Sequence, residues 1–275
     1  MNKKFASSSD PCVTCDPNSI ESNIIPRGEN SDSWDYVVAL AGNPNTGKST
    51  VFNALTGMHQ HTGNWPGKTV ARAEGYLSFG SKRFKIIDLP GTYSLLSTSQ
   101  DEEIARDFVL FGQPDVTVIV LDATRVERNL NLALQMLEIT DRVVICLNLM
   151  DEARRHGLEI NHRALARELG VPVIPTAARQ REGLKDLVRT INDMAGGRIA
   201  THPRRLEIAD PKVEQAVKTL AAQVHSMYPD LPNARWIALR LLEGDQSVID
   251  ALNSGELSKQ ANPFHQPQLV LEGAI

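Results

Sequence analysis

A short apolar run at residues 36–41 stops at Gly42, and the nine residues from there, Gly42-Asn43-Pro44-Asn45-Thr46-Gly47-Lys48-Ser49-Thr50, restrict this chain more than any other stretch. The first eight carry two glycines separated by four residues, then lysine and a hydroxyl residue. The apolar run reads as a buried parallel strand, and residues 49–55 can form a helix. A glycine turn between the two lets backbone N–H groups wrap a phosphate at a helix amino terminus, where the dipole adds positive potential. Lys48 then reaches toward β- and γ-phosphates, and Ser49 toward Mg2+.

The chain continues in the same style up to residue 195. Residues 71–78 and 83–88 flank Phe79-Gly80-Ser81-Lys82 and suggest a hairpin. Residues 116–121, 142–148 and 171–175 are strand-like. Residues 129–139, 163–169 and 184–194 have helical spacing. Strands alternating with helices imply an α/β fold, a P-loop NTPase with a mostly parallel sheet and helices on both faces. Residues 195–210 read as a linker, and the strand signal then ends. Asp210-Pro211 places a capping residue before a first-turn proline. Val213, Ala216, Val217, Leu220, Val224 and Met227 share one helical face, and two shorter helices follow near Trp236 and at residues 247–252. The expected divisions are a disordered tail at 1–34, a nucleotide domain at 35–197, a small all-helical subdomain at 205–255 and an irregular tail at 256–275. Three short helices bury too little to stand alone. They are therefore expected to pack on the α/β domain, at the side reached from residues 184–194 through the linker.

Three more segments complete a nucleotide site. Asp88-Leu89-Pro90-Gly91 ends a strand; Asp88 can hold Mg2+ through water, and the Gly91 N–H can meet a γ-phosphate. Thr69, between the phosphate loop and Asp88, can give its hydroxyl to Mg2+ and its N–H to the γ-phosphate, which makes its segment a switch. Asn148-Leu149-Met150-Asp151 ends another strand and reads guanine: Asp151 accepts from the ring N1–H and the exocyclic amine, donors that adenine does not present on that edge. Thr176-Ala177-Ala178 is where a backbone N–H would meet the guanine carbonyl. Leu149 stands where lysine is usual, so apolar cover of the base has to come from elsewhere. Thr92 follows Gly91 where many small GTPases carry a water-orienting glutamine, and slow intrinsic hydrolysis is expected.

These segments resemble the cytosolic GTPase part of bacterial ferrous iron transport protein B. The resemblance rests on Gly42 to Ser49, on Gly63-Asn64-Trp65-Pro66-Gly67 with Thr69, on Asp88-Leu89-Pro90-Gly91-Thr92-Tyr93-Ser94-Leu95, and on Asn148 to Asp151. It covers residues 36–195, and the helical piece fits that family's helical domain. It implies GTP/GDP with Mg2+ at Ser49, Thr69 and Asp88. It also implies K+ at Asn45 with the Gly63 and Trp65 carbonyls. Lys48, Thr69 and Asn45 would then support hydrolysis, with the cation offsetting charge as an arginine finger does. In that family the GTPase precedes a membrane-embedded iron permease domain. None is present here, so a fragment or free-standing relative is expected, cytoplasmic and at the inner face of the cell membrane when attached to its transporter domain. Guanine nucleotide and that domain are the implied partners, with a homo-oligomer left open. Departures from the family are Lys68, Ala177 in place of a common serine, and the long cysteine-bearing tail.

Composition narrows the alternatives. Twenty-nine basic against 33 acidic residues leave a formal charge of −4. That disfavours a nucleic-acid partner and a ribosome-assembly GTPase. A nucleotide-loaded interaction module with incidental turnover remains the other reading. No apolar run approaches the ~20 residues of a membrane span. Cys12-Val13-Thr14-Cys15 supplies two of the four ligands a zinc or iron–sulfur site needs, so an inert thiol pair and a metal or redox role both stay open. His59 and His61 read as solvated loop residues.

Overall fold

The computed structural model describes residues 24–25, 33–57, 60–65, 68–96, 99–205, 208–229 and 233–253. In chain order the elements are β1 (Ile24–Ile25), β2 (Tyr36–Gly42), α1 (Lys48–Thr56), β3 (Gln60–Asn64), β4 (Ala71–Phe79), β5 (Lys82–Asp88), α2 (Gln100–Phe111), β6 (Val116–Asp122), α3 (Val126–Ile139), β7 (Val143–Asn148), α4 (Met150–Arg155), α5 (His162–Leu169), β8 (Val173–Pro175), α6 (Leu184–Ala195), α7 (Pro211–Met227), α8 (Ala234–Leu242) and α9 (Gln246–Asn253). The sheet order is β1-β4-β5-β2-β6-β7-β8, with β3 also paired to β4. From β5 to β8 the strands are parallel, and β4 is antiparallel to β5 through the expected hairpin. The α/β class holds.

Period-two alternation along β2 builds a core on each face of the sheet. Val37, Ala39 and Ala41 join one cluster with residues of α2, α3 and α5; Val38 and Leu40 join another with Val51, Phe52 and Leu55 of α1 and Leu187, Val188 and Ile191 of α6. β2 and β6 are buried almost throughout, as strands covered by helices on both sides must be.

Besides β1, three elements were not expected from the sequence. The clearest is α2, which carries a readable start signal: Ser99 accepts from the Glu102 N–H at 3.3 Å, and Asp101, Glu102 and Glu103 fill the first turn. The others are β3, in the segment read as a switch loop, and the short α4. Ile24–Ile25, inside the segment read as a tail, pairs antiparallel with Ser78 and Phe79; Cys12 and Cys15 lie outside the described residues.

The helical subdomain docks on the sheet face covered by α2, α3 and α5. Its Val224, Trp236, Ile237 and Val248 belong to the cluster of α2, α3 and α5, whereas the apolar face of α6 is already spent on the sheet and α1. The linker makes the crossing. His202 N–H and Arg204 N–H donate to the Gly170 and Leu169 carbonyls at 3.1 and 3.0 Å, and Arg205 pairs with Asp141 at 2.8 Å. It thus reaches the turn before β7, at the amino ends of the parallel strands. Asn233 closes the contact there. Its Nδ2 donates to the Glu138 and Ile139 carbonyls at the end of α3, while its Oδ1 caps α8 by accepting from the Trp236 N–H at 3.2 Å.

Asn233 has φ +55°, a conformation asparagine and glycine tolerate better than other residues. Asn233→Ala should therefore cost about 1–3 kcal/mol through the lost cap and carbonyl partners plus the backbone. Asn233→Gly, which relieves only the backbone, should melt between that variant and the parent in thermal denaturation. Parent-like melting of Asn233→Ala would remove this residue as the docking point.

Candidate functional site

β2, β5, β7 and β8 all end at one edge of the sheet, and each hands the chain to a loop carrying candidate residues. From β2 the chain passes Gly42, Asn43, Pro44, Asn45, Thr46 and Gly47 into α1, which begins at Lys48. Two glycines are required here by space. A Cβ on Gly42 would lie 2.6 Å from the Val120 carbonyl oxygen, and one on Gly47, at φ +79°, 2.5 Å from Asn148 Nδ2. Asn45 takes φ +67°, and the Thr46 hydroxyl donates to the Asn43 carbonyl at 2.9 Å. Ser49 and Thr50 are exposed in the first turn of α1. Asn43 is 1% exposed, and neither of its amide atoms meets a partner among the described residues, so the loop keeps polar capacity that protein groups leave unused.

The end of β5 sits beside this loop. Lys48 Nζ pairs with Asp88 Oδ1 and also donates to the Leu89 carbonyl at 2.6 Å. Burial pushes the Asp88 carboxyl above its ordinary range, and the Lys48 charge pulls it back down. Gly91 approaches the backbone of Pro44, and the Thr92 N–H donates to the Gly42 carbonyl at 3.3 Å, which ties the two loops. The donor set of the Ser49 hydroxyl and the Asp88 carboxylate is all oxygen, as a small hard cation such as Mg2+ requires.

Asn148 joins the remaining loops. It is 1% exposed; its Nδ2 donates to the Thr46 carbonyl at 3.0 Å, and its Oδ1 accepts from the Ala178 N–H at 3.1 Å. The Thr176 hydroxyl lies 3.4 Å from the same oxygen and 3.2 Å from Cys146 Sγ. Burial holds the Cys146 thiol up at about 12, so it stays neutral beneath the loop. Leu149 takes φ +62° as the amino cap of α4, which turns Asp151 into the first helical turn. The Leu149 side chain reaches Gly47, its Cδ2 lying 3.8 Å from where a Cβ on that glycine would be. Met150 N–H donates to the Thr176 carbonyl at 3.1 Å. Ala177 is buried within the turn, where it bridges to Glu182.

Thus Gly42 to Thr50, Asp88, Gly91, Asn148, Asp151 and Thr176 to Ala178 come to one edge of the sheet. Thr69 does not join them through any described contact: it is exposed near the tip of the β3–β4 hairpin, where Trp65 N–H donates to the Val70 carbonyl at 3.0 Å. Gly63 pairs opposite Arg72 in that hairpin, and the Trp65 carbonyl accepts from the Lys68 N–H at 3.0 Å. The Trp65 ring is buried edge-on against Phe108 of α2, centroids 5.5 Å apart, and Lys68 pairs with Glu103 of the same helix at 2.6 Å. Sequence reasoning missed those anchors, and also Gln180, whose Nε2 donates to Asp151 Oδ2 at 3.2 Å, and Arg154, which binds Glu182 through both guanidinium nitrogens. Each pair is a long-range contact with no local sequence signal.

A family model described as ferrous iron transport protein B matches residues 36–191, and one described as the FeoB cytosolic helical domain matches residues 210–266. The Fe(2+) transporter FeoB of Escherichia coli is 38% identical over 226 residues, 81% of this chain and 28% of the relative. That of Methanocaldococcus jannaschii is 40% identical over 231 residues, 83% of this chain and 34% of the relative. The chain thus spans about a third or less of these relatives' length. Among solved structures, the cytosolic domain of the T. maritima FeoB iron transporter in apo form is similar with a TM-score of 0.71 and 37% identity, covering 84% of this chain and 88% of that one. The same domain in a GDP form matches with a TM-score of 0.71, 36% identity and coverage of 84% and 89%.

Gly47→Ala puts a methyl where Asn148 Nδ2 now sits, on a backbone that disfavours alanine. It should break the link between the phosphate loop and Asn148 and lower affinity for GDP at least about tenfold, the size of one buried group left unsatisfied. Titration calorimetry measures this. Parent-like binding would show that the loop tolerates the displacement.

Proposed function

The chain belongs to the ferrous iron transport protein B family, as that family's P-loop GTPase domain followed by its cytosolic helical domain, and from there we propose that it binds GTP and GDP, hydrolyses GTP slowly and acts as a switch for Fe2+ uptake. The transporting part would be a membrane domain, and the chain would lie at the cytoplasmic face of the membrane. Among the described residues no helix is long and apolar enough to cross a membrane. The observation that carries the reading is the Asn148 bridge, which holds a phosphate loop and a base loop at a fixed spacing with Asp151 beside them.

The chemistry follows from these positions. Backbone N–H groups of residues 45–50 would receive the α- and β-phosphates at the amino end of α1. Lys48 has to leave Asp88 and the Leu89 carbonyl to meet the β- and γ-phosphates, which frees the Asp88 carboxylate. Ser49, Asp88 and Thr69 would hold Mg2+, which bridges and neutralises phosphate oxygens when bound. For Thr69 to contribute, the hairpin tip has to move from α2. That motion is the order change expected of a switch segment. Asn45, with the Gly63 and Trp65 carbonyls, would hold K+ and add positive charge next to the phosphates. Asp151 would meet the guanine N1–H and amine, whereas the N–H groups of Thr176, Ala177 and Ala178 donate to Leu147, Glu182 and Asn148, so one of them would have to be released to meet the guanine carbonyl.

Turnover is slow in this reading because Thr92 is 4% exposed, with its N–H spent on the Gly42 carbonyl. It leaves no amide poised for water. The same observation favours a second reading, an interaction module in which the bound nucleotide matters more than its hydrolysis. In either case α2 is where the nucleotide state would be felt: Glu103 and Phe108 hold the switch hairpin, while Val109 lines a cavity of about 780 Å3 together with Ile139 and Asn233 at the helical subdomain.

The parent should bind GDP far more tightly than ADP. Asp151→Asn should lose at least about tenfold in GTP affinity, since a donor then faces the guanine N1–H. Unchanged GTP binding by the variant would refute the base-site assignment. Replacing Na+ by K+ at constant ionic strength should accelerate GTP hydrolysis, and Asn45→Ala should abolish the difference. A parent rate indifferent to the cation ends the potassium reading.

A further inference from the structure

Asp151 has to present its carboxylate to two donors on one base edge, and its own helix does little to orient it. Arg155 reaches Asp151 Oδ2 at 3.3 Å, but its side chain is 69% exposed and also lies 3.7 Å from Glu152. Ala177, in the facing loop, carries no side-chain donor. The directed contact comes from Gln180, whose Nε2 donates to Oδ2 at 3.2 Å across 29 residues of sequence.

The backbone that carries Gln180 is held on several sides. Ala178–Gln180 form a tight 3-10 turn in which the Gln180 N–H donates to the Ala177 carbonyl at 2.9 Å. Ala177 and Glu182 exchange backbone hydrogen bonds at 3.1 and 3.2 Å and close the loop. From α4, Arg154 grips Glu182 with bonds of 2.9 and 2.5 Å, and Asn148 holds the Ala178 N–H. The loop and the start of α4 are therefore fixed relative to each other around the Gln180–Asp151 contact. A carboxylate offers about four acceptor positions, so a donor on Oδ2 leaves room for two from a base.

We propose that Gln180 is a positioning residue for base selectivity, setting the rotation of the Asp151 carboxylate toward the guanine N1–H and exocyclic amine. This rests on the guanine reading above. The test titrates the full chain with GDP and with IDP, whose base keeps the N1–H and lacks the amine. Gln180→Ala and Gln180→Met, the latter matching length without a donor, should weaken GDP about three- to tenfold, less than a buried hydrogen bond to a charged group because this one is solvent-exposed. IDP should weaken less, so the preference for GDP over IDP shrinks. Gln180→Lys, which restores a donor, should recover most of the loss. If Gln180→Met keeps parent affinity and the parent GDP-to-IDP ratio, Gln180 is filler and the proposal falls. Asp151→Asn, measured alongside, separates the two levels. Should it lose GDP binding while the Gln180 variants keep theirs, only the positioning role fails. Should it bind GDP as the parent does, the base-site reading fails and this inference with it.

Discussion

The buried amide of Asn148 is the contact on which the rest of the site depends. One side chain satisfies the Thr46 carbonyl of the phosphate loop and the Ala178 N–H of the base loop, more than a hundred residues apart in the chain. Removing it would leave two backbone groups without partners, at about 1–3 kcal/mol each. Its demand on space explains Gly47, which has to lack a side chain because Nδ2 occupies that position. It also explains the left-handed turn at Leu149: β7 delivers Asn148 inward, and the chain then reverses at once to start α4 with Asp151 beside the opening.

Around that bridge the sheet divides the labour of its faces. α1 and α6 cover one side, and α1 also carries Lys48 and Ser49 at its amino end. The other side is shared, because α2 and α3 pack on the sheet and also receive the helical subdomain. The linker has to carry the chain past Gly170 and Asp141 to reach it, at the amino ends of the strands, while the loops of the site lie at their carboxyl ends. α2 spans the distance between the two ends. α2 thus holds the β3–β4 hairpin and also borders the subdomain contact, and under the proposed switch role it would make one respond to the other. Such coupling requires contacts that differ between two states.

The candidate site was legible to different degrees for physical reasons. The phosphate loop lies within nine consecutive residues, so glycine spacing and one lysine record it locally. Strands buried on both faces are also local records, since a run such as residues 116–121 has no other comfortable environment. α2 had a legible start in Ser99 and Glu102 that a pass for apolar period alone overlooked. That Leu149 lies beside Gly47 is, by contrast, a contact across the chain that no local pattern records.

By itself the sequence determined the α/β class, the phosphate loop, the guanine-type loops, and a helical piece with an apolar face to bury. Each is recorded in neighbouring residues whose chemistry or period leaves few alternatives. Only the tertiary structure decided which sheet face receives the helical subdomain, that Trp65 and Lys68 are anchored on α2, and that Gln180 reaches Asp151. Those pairings join residues dozens of positions apart, and an apolar stripe or a lone charge is compatible with many partners. The choice among them falls to the surface that the rest of the fold leaves uncovered.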